Sequence, residues 1–85
     1  MDKTKTKLPK WFNGEIYDKG DTVTNSFSGQ SYELTAEELS MYDFIMGANA
    51  LFEAGIYNKS LTDDMQKGLR WFNKNNVEAY MVLLD

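Results

Sequence analysis

The step at Thr35 constrains this chain more than any other feature. Upstream, short apolar and β-branched runs alternate with Gly, Asn, Asp and Ser; downstream, residues 35–85 follow helical spacing. Thr35-Ala36-Glu37-Glu38 forms a capping box, in which the threonine hydroxyl accepts from the Glu38 amide while the Glu38 carboxylate returns to the Thr35 amide. Leu34 and Leu39 add an approximate hydrophobic staple. This predicts a helix over 36–54 that stops near Gly55, a residue free to adopt the left-handed conformation of a helix end. Thr62-Asp63-Asp64 predicts the start of a second helix over 62–74, with acids first and Lys67, Arg70 and Lys74 later, matching the macrodipole. Asn75-Asn76 breaks it and caps a third helix over 77–84.

Before Thr35, Lys3, Lys5 and Lys7 alternate with threonine and nothing apolar appears until Leu8, so residues 1–8 read as a mobile basic arm. Pro9 disfavours helix at Leu8, and Trp11 and Phe12 anchor the arm to the body. Ile16 and Tyr17, the turn chemistry of Asp18-Lys19-Gly20-Asp21, and Val23 predict a hairpin. Asn25-Ser26-Phe27-Ser28-Gly29 predicts a second turn, and residues 30–34 return as a third strand with Tyr32 and Leu34 on one face. Such short strands need helices to cover them. The predicted fold is α+β: a short N-terminal antiparallel β-hairpin or three-strand meander packed on a bundle of three helices. The 85 residues make a single domain with arm 1–8, β/turn region 9–34 and helical region 35–85. A content of 42% hydrophobic and 14% aromatic residues is enough for a real core.

On the central helix, Met41, Phe44, Ile45, Ala48, Leu51 and Phe52 fall in one stripe at i, i+3, i+4, i+7 spacing and define the core face. Leu39, Tyr42, Met46 and Ala50 form a second, weaker stripe interrupted by Asp43, Asn49 and Glu53. Either the N-terminal segment covers it, with Trp11, Phe12, Tyr17, Val23, Phe27 and Tyr32 packing there, or another copy or partner protein does. The second helix offers Leu61, Met65, Gly68, Leu69 and Phe72 to the core; the third offers Val77, Tyr80, Met81 and Leu84. Gly68 and Gly47 inside helices each cost ~1 kcal/mol relative to alanine, which a close approach of a neighbouring element would justify.

The chain contains no cysteine and no histidine. Disulfides, thiolate zinc sites, cysteine nucleophiles, Ser-His-Asp triads and histidine metal sites are therefore unavailable within it. Carboxylates are plentiful, and paired acids can hydrolyse glycosides or hold magnesium. Glu37, Glu38, Asp63 and Asp64, however, fall in predicted first turns, where capping and the helix dipole explain them. Asp43, inside an apolar run, reads as a hydrogen-bond acceptor for a tyrosine or a backbone turn. The Asp18 to Asp21 turn lacks the ligand spacing of an EF-hand, and no glycine-rich phosphate loop is present. The expectation is a non-enzyme with no cofactor, no metal and no catalytic residue.

Charge is unevenly distributed. Residues 1–19 carry five lysines against three acids, residues 20–64 one lysine against eight acids, and the whole chain is −4. Lys3, Lys5, Lys7 and Lys10 beside Trp11 and Phe12 could neutralise phosphates and stack bases, but the acidic body repels a polyanion. The tripeptide Trp-Phe-Asn occurs at 11–13 and 71–73 without shared flanks, so it is no repeat. Trp11 and Trp71 are candidates for a binding hot spot, since tryptophan is enriched there. With them, Leu39, Tyr42, Asp43 and Met46 form the candidate interaction surface. The amino terminus lacks the apolar run of a signal peptide, and no stretch offers roughly eighteen uncharged apolar residues, so a soluble cytoplasmic protein without a membrane partner is expected.

The pattern Trp11-Phe12-x-Gly14, Tyr17-x-x-Gly20-Asp21-x-Val23-x-Asn25-x-Phe27-Ser28-Gly29, Leu34, Glu38, Tyr42-Asp43 and Gly47 resembles small proteins encoded by marine bacteriophages, especially those of cyanobacteria. Gln66-Lys67-Gly68-Leu69-x-Trp71-Phe72 and Asn76-x-Glu78-Ala79-Tyr80 are similar too. The resemblance implies a setting, the cytoplasm of an infected cell, and no activity. Together these features predict a protein–protein interaction module acting on a host or phage protein. The alternatives are a self-associating virion or assembly component and, third, a nucleic-acid accessory protein using the lysine arm.

Overall fold

A computed structural model describes residues 7–12 and 14–84 of the chain. Two strands, β1 (Asp21–Thr24) and β2 (Ser31–Leu34), precede three helices, α1 (Ala36–Glu53), α2 (Lys59–Asn75) and α3 (Val77–Leu83). The fold is α+β, an antiparallel hairpin on a three-helix body, and among the described residues the sheet has two strands rather than three. The basic arm predicted over residues 1–8 falls, for residues 1–6, outside the described residues; Lys7 and Leu8 lie against the body.

Helix α1 begins as its capping box dictates. Thr35 is extended (φ −70°, ψ 171°), its hydroxyl accepts from the Glu38 amide at 3.2 Å, and Glu38 Oε1 accepts from the Thr35 amide at 2.9 Å. It ends in a Schellman motif. Gly55 takes φ +86° and donates to the Phe52 carbonyl, and the Ile56 amide donates to that of Leu51, both at 2.9 Å.

Helix α2 starts three residues before the predicted position. Asn58, a better cap than threonine, accepts the Leu61 amide on Oδ1 at 3.2 Å. Thr62 is drawn inside the helix, where its hydroxyl donates to the Asn58 carbonyl at 3.0 Å. Asp63 and Asp64 thus lie beyond the first turn, and Asp63 pairs with Lys59 at 3.1 Å instead. Asn76 closes α2, donating its amide to the Phe72 carbonyl, and opens α3, accepting the Ala79 amide.

Of the two predicted turns, the second makes the hairpin, and the first joins no strands. Register pairs Asp21 with Leu34 and Val23 with Tyr32, so the connection is 25–30 and not 18–21. Asn25 builds it: its amide donates to the Gln30 carbonyl, its carbonyl accepts from the Gly29 amide, and Oδ1 accepts from the Phe27 amide, each at 2.8 Å. Gly29 supplies the required φ of +78°. Ile16 and Tyr17 form no strand because the Tyr17 amide is taken by the Ser40 hydroxyl of α1 at 2.9 Å. Gly20 crosses so close to β2 that a Cβ there would sit 1.9 Å from the Leu34 carbonyl oxygen.

The core joins all three helices to β2: Leu34, Met41, Ile45, Phe72, Ala79 and Leu83 are buried together. On α1 the buried stripe is narrower than predicted, Met41, Ile45 and Ala48, with Leu51 40% exposed. On α3 the predicted face is turned. Ala79 and Leu83 enter the core while Val77 and Met81 face solvent, because the Asn76 side chain fixes the rotation of the helix at its start and α3 packs on β2. Gly68 permits the close α1–α2 approach: a Cβ there would meet Met41 Sδ at 3.0 Å and Ile45 Cγ1 at 3.3 Å. Gly47 faces open space and has no such role.

Candidate functional site

The carboxylate best placed for chemistry is used structurally. Glu38 is 5% exposed; Oε1 caps α1 and Oε2 accepts from Asn76 Nδ2 at 3.0 Å. Asn76 Oδ1 accepts in turn from the Tyr32 hydroxyl at 3.4 Å, which also lies 3.2 Å from Glu78 Oε1. Burial, then the hydrogen bond and charge of Glu78, push the Tyr32 phenol above the ordinary tyrosine value, against an opposing contribution from Asn76. This cluster ties the starts of α1 and α3 to β2. Among the described residues no buried side-chain nitrogen or oxygen lacks a partner, and no group of three or more acids could hold a metal ion.

The N-terminal aromatics cover the Phe44 flank of α1 rather than the second stripe. Trp11 and Phe12 meet Phe44 edge to face with centroids 6.0 and 5.7 Å away. The Lys67 ammonium sits 5.7 Å from the centre of the Trp11 ring. Trp71 donates its indole N–H to the Lys7 carbonyl at 3.2 Å. Both tryptophans are half-buried and engaged within the chain. Lys7 and Lys10 are exposed; Lys3 and Lys5 lie outside the described residues.

The second stripe divides. Leu39 and Tyr42 pack on the core, and burial raises the Tyr42 phenol above its ordinary value. Met46 is 42% exposed and Ala50 faces solvent. Asp43 is also exposed. The Tyr17 phenol beside it is raised by burial first and then by the Asp43 charge.

Where that stripe opens, the molecule has a groove of about 320 Å³. Tyr42 and Met46 of α1, Met65 and Leu69 of α2 and the end of α3 at Leu84 form its floor and walls. The hairpin turn closes one side, held there by Asn25 Nδ2 donating to the Val82 carbonyl at 2.9 Å. Phe27, expected to pack on the central helix, stands at the rim 99% exposed. Its position between Ser26 and Ser28 at the tip of a tight turn is the sequence signal for this, since a side chain there projects away from both strands. Among the described residues none that lines the groove is charged, although 26% of the chain is.

A second exposed apolar cluster lies at the α1–α2 connection, where Tyr57 stacks on Phe52 at 5.5 Å beside exposed Leu51 and Ile56. It is shallower and bordered by Asp64. No helix among the described residues is long and apolar enough to cross a membrane. Comparison with protein-family models, with curated proteins and with solved structures gives no match.

Proposed function

We propose that this chain is a non-enzymatic protein–protein interaction module whose binding surface is the groove between the hairpin turn, α1, α2 and the end of α3. The observation that carries it is the combination of an open, uncharged groove floored by Met46, Met65 and Leu69 with a fully exposed phenylalanine on its rim. Methionines adapt their shape to a partner, and an aromatic beside an apolar recess is the usual makeup of a binding hot spot. An enzymatic role has little to draw on: the chain has no histidine or cysteine, and both oxygens of its buried glutamate are committed to backbone and amide donors. A role on nucleic acid is weakened because Trp11 and Phe12 are packed on Phe44 instead of standing free to stack on bases. In this reading the module acts on a host or phage protein in the cytoplasm of an infected cell, the setting that the phage resemblance implies.

The test uses Met46→Glu, which puts a charge in the groove at a side chain already 42% exposed. Immobilised wild-type chain should retain a specific protein from an infected-cell lysate, and Met46→Glu should lose it while keeping the wild-type circular dichroism spectrum. Equal retention by both chains would remove the groove from the proposal.

A further inference from the structure

We infer that the face of α2 turned away from the groove, together with residues 7–12 clamped beside it, is a docking surface for the phosphate backbone of duplex DNA. The inference goes beyond the interaction reading and draws on residues which that reading leaves unused.

Folding assembles this face from segments some sixty residues apart. Lys67, Arg70 and Lys74 recur at i, i+3 and i+7 on α2 and all three are exposed. Met65 and Leu69, which line the groove, fall on the far side of the same helix. The Trp71 indole holds the Lys7 carbonyl at 3.2 Å, and the Lys67 ammonium lies 5.7 Å from the centre of the Trp11 ring. These two contacts set exposed Lys7 and Lys10 next to the α2 stripe. Five of the nine lysines and arginines thus share one face of a chain whose net charge is −4.

Acids are kept off it. Residues 7–12 and 65–77 contain no Asp or Glu. Among the described residues only Asp64 pairs with any of the five cations, at 3.8 Å from Lys67. Asp63 is taken by Lys59, and Glu78 by the Tyr32 hydroxyl. Ahead of Lys7 in the chain, Lys3 and Lys5 outnumber Asp2. Charges beyond about 8 Å are largely screened at physiological ionic strength, so a phosphate at this face meets the local cations rather than the net −4.

The composition selects phosphate over protein. Gln66 and Asn73 flank the stripe and are exposed, amides of the kind that bond phosphate oxygens beside Lys and Arg. None of the large apolar side chains that stand exposed falls within 7–12 or 59–75, so an acidic protein would find no apolar anchor there. The packing of Trp11 and Phe12 on Phe44 removes base stacking and with it a single strand. A duplex is held through its phosphates and needs no free aromatic. Lys67 and Lys74 stand two turns apart, about 10 Å along the helix, enough with their side chains to reach across a B-form major groove ~12 Å wide. The major groove of duplex RNA is too narrow to admit the helix.

Fluorescence anisotropy with a labelled DNA duplex of about 20 base pairs, titrated between about 50 and 200 mM salt, tests the inference. Wild type should bind, with an affinity that falls steeply as salt rises. Arg70→Gln/Lys74→Gln should weaken binding at least about tenfold and reduce the slope of log affinity against log salt by about 2. Lys19→Gln/Lys59→Gln removes the same charge at exposed positions elsewhere and should weaken binding less than about threefold, both variants keeping the wild-type circular dichroism spectrum. No binding at about 50 mM salt with protein near 100 μM, the weak end of non-specific affinity, overturns the inference, as does equal weakening by the two double variants. Binding as tight to a single strand, to duplex RNA or to poly-glutamate overturns duplex DNA as the occupant. None of these results touches the groove, whose test remains Met46→Glu.

Discussion

Gly47 and Gly68 are both helix-interior glycines, and their surroundings give them opposite responses to a larger side chain. Gly47 faces open space, so Gly47→Ala should stabilise the protein by about 0.5–1 kcal/mol through helix propensity alone, read as a Tm rise of a few degrees. At Gly68 the added atoms meet Met41 and Ile45, two of the most buried side chains. Gly68→Val should therefore cost about 1–3 kcal/mol in a denaturant titration. Asn76 matters for a different reason. Truncation to alanine removes the α3 cap and leaves Glu38 Oε2 without a donor, an expected loss of about 2–4 kcal/mol. A domain of this size holds only roughly 4–13 kcal/mol in total, so calorimetry should show a clearly lowered Tm for Asn76→Ala.

At the scale of elements, the hairpin is positioned by its turn more than by its four-pair ladder. Asn25 closes the turn and also reaches α3 through the Val82 carbonyl. Asn25→Ala should cost about 1–3 kcal/mol and free the turn, residues 25–30, from α3 while β2 stays packed there, seen as faster amide exchange confined to the turn. The second stripe of α1 separates by position in the same way. Leu39 packs on the core, so Leu39→Glu should destabilise by at least about 2 kcal/mol, whereas Met46→Glu, one turn beyond Tyr42 and 42% exposed, should cost less than about 1 kcal/mol. Equal stabilities for the two variants in urea would show that Leu39 is not core.

For the whole molecule, pH dependence follows from its tyrosines. Tyr17, Tyr32 and Tyr42 all have phenols raised above 10.0 on folding, burial being the largest cause in each. The folded state therefore holds protons that the unfolded state gives up. Their contribution is fully present below pH 10.0 and is lost as pH rises through the folded-state values. Phenolate absorbance should thus lag behind that of a denatured sample on alkaline titration, and the urea midpoint should fall above pH 10.0. A midpoint constant through that range would show that the phenols are not selectively protected.

The helix starts and stops were legible in the chain where the controlling groups are sequence neighbours: Thr35 with Glu38, Gly55 with the Phe52 carbonyl, Asn76 with Ala79. Tyr32 and Leu34 likewise fell on the inner face of a strand by simple alternation. The α2 start was misplaced because Asp63 and Asp64 after Thr62 imitate the acidic first turn of a helix, although Asn58 is the stronger cap. The first strand and the α3 face were decided by partners distant in sequence: Ser40, which takes the Tyr17 amide, and Glu38, which holds Asn76. The candidate site lay deeper still. Met46 could be singled out from its periodicity, but the groove also needs Met65, Leu69, Leu84 and a turn held by Val82. Local hydrogen bonds and periodicity fix which segments are helix or strand because they act within a few residues. Which apolar face is buried and which is left in water depends on how those segments meet, and that was settled only by tertiary packing.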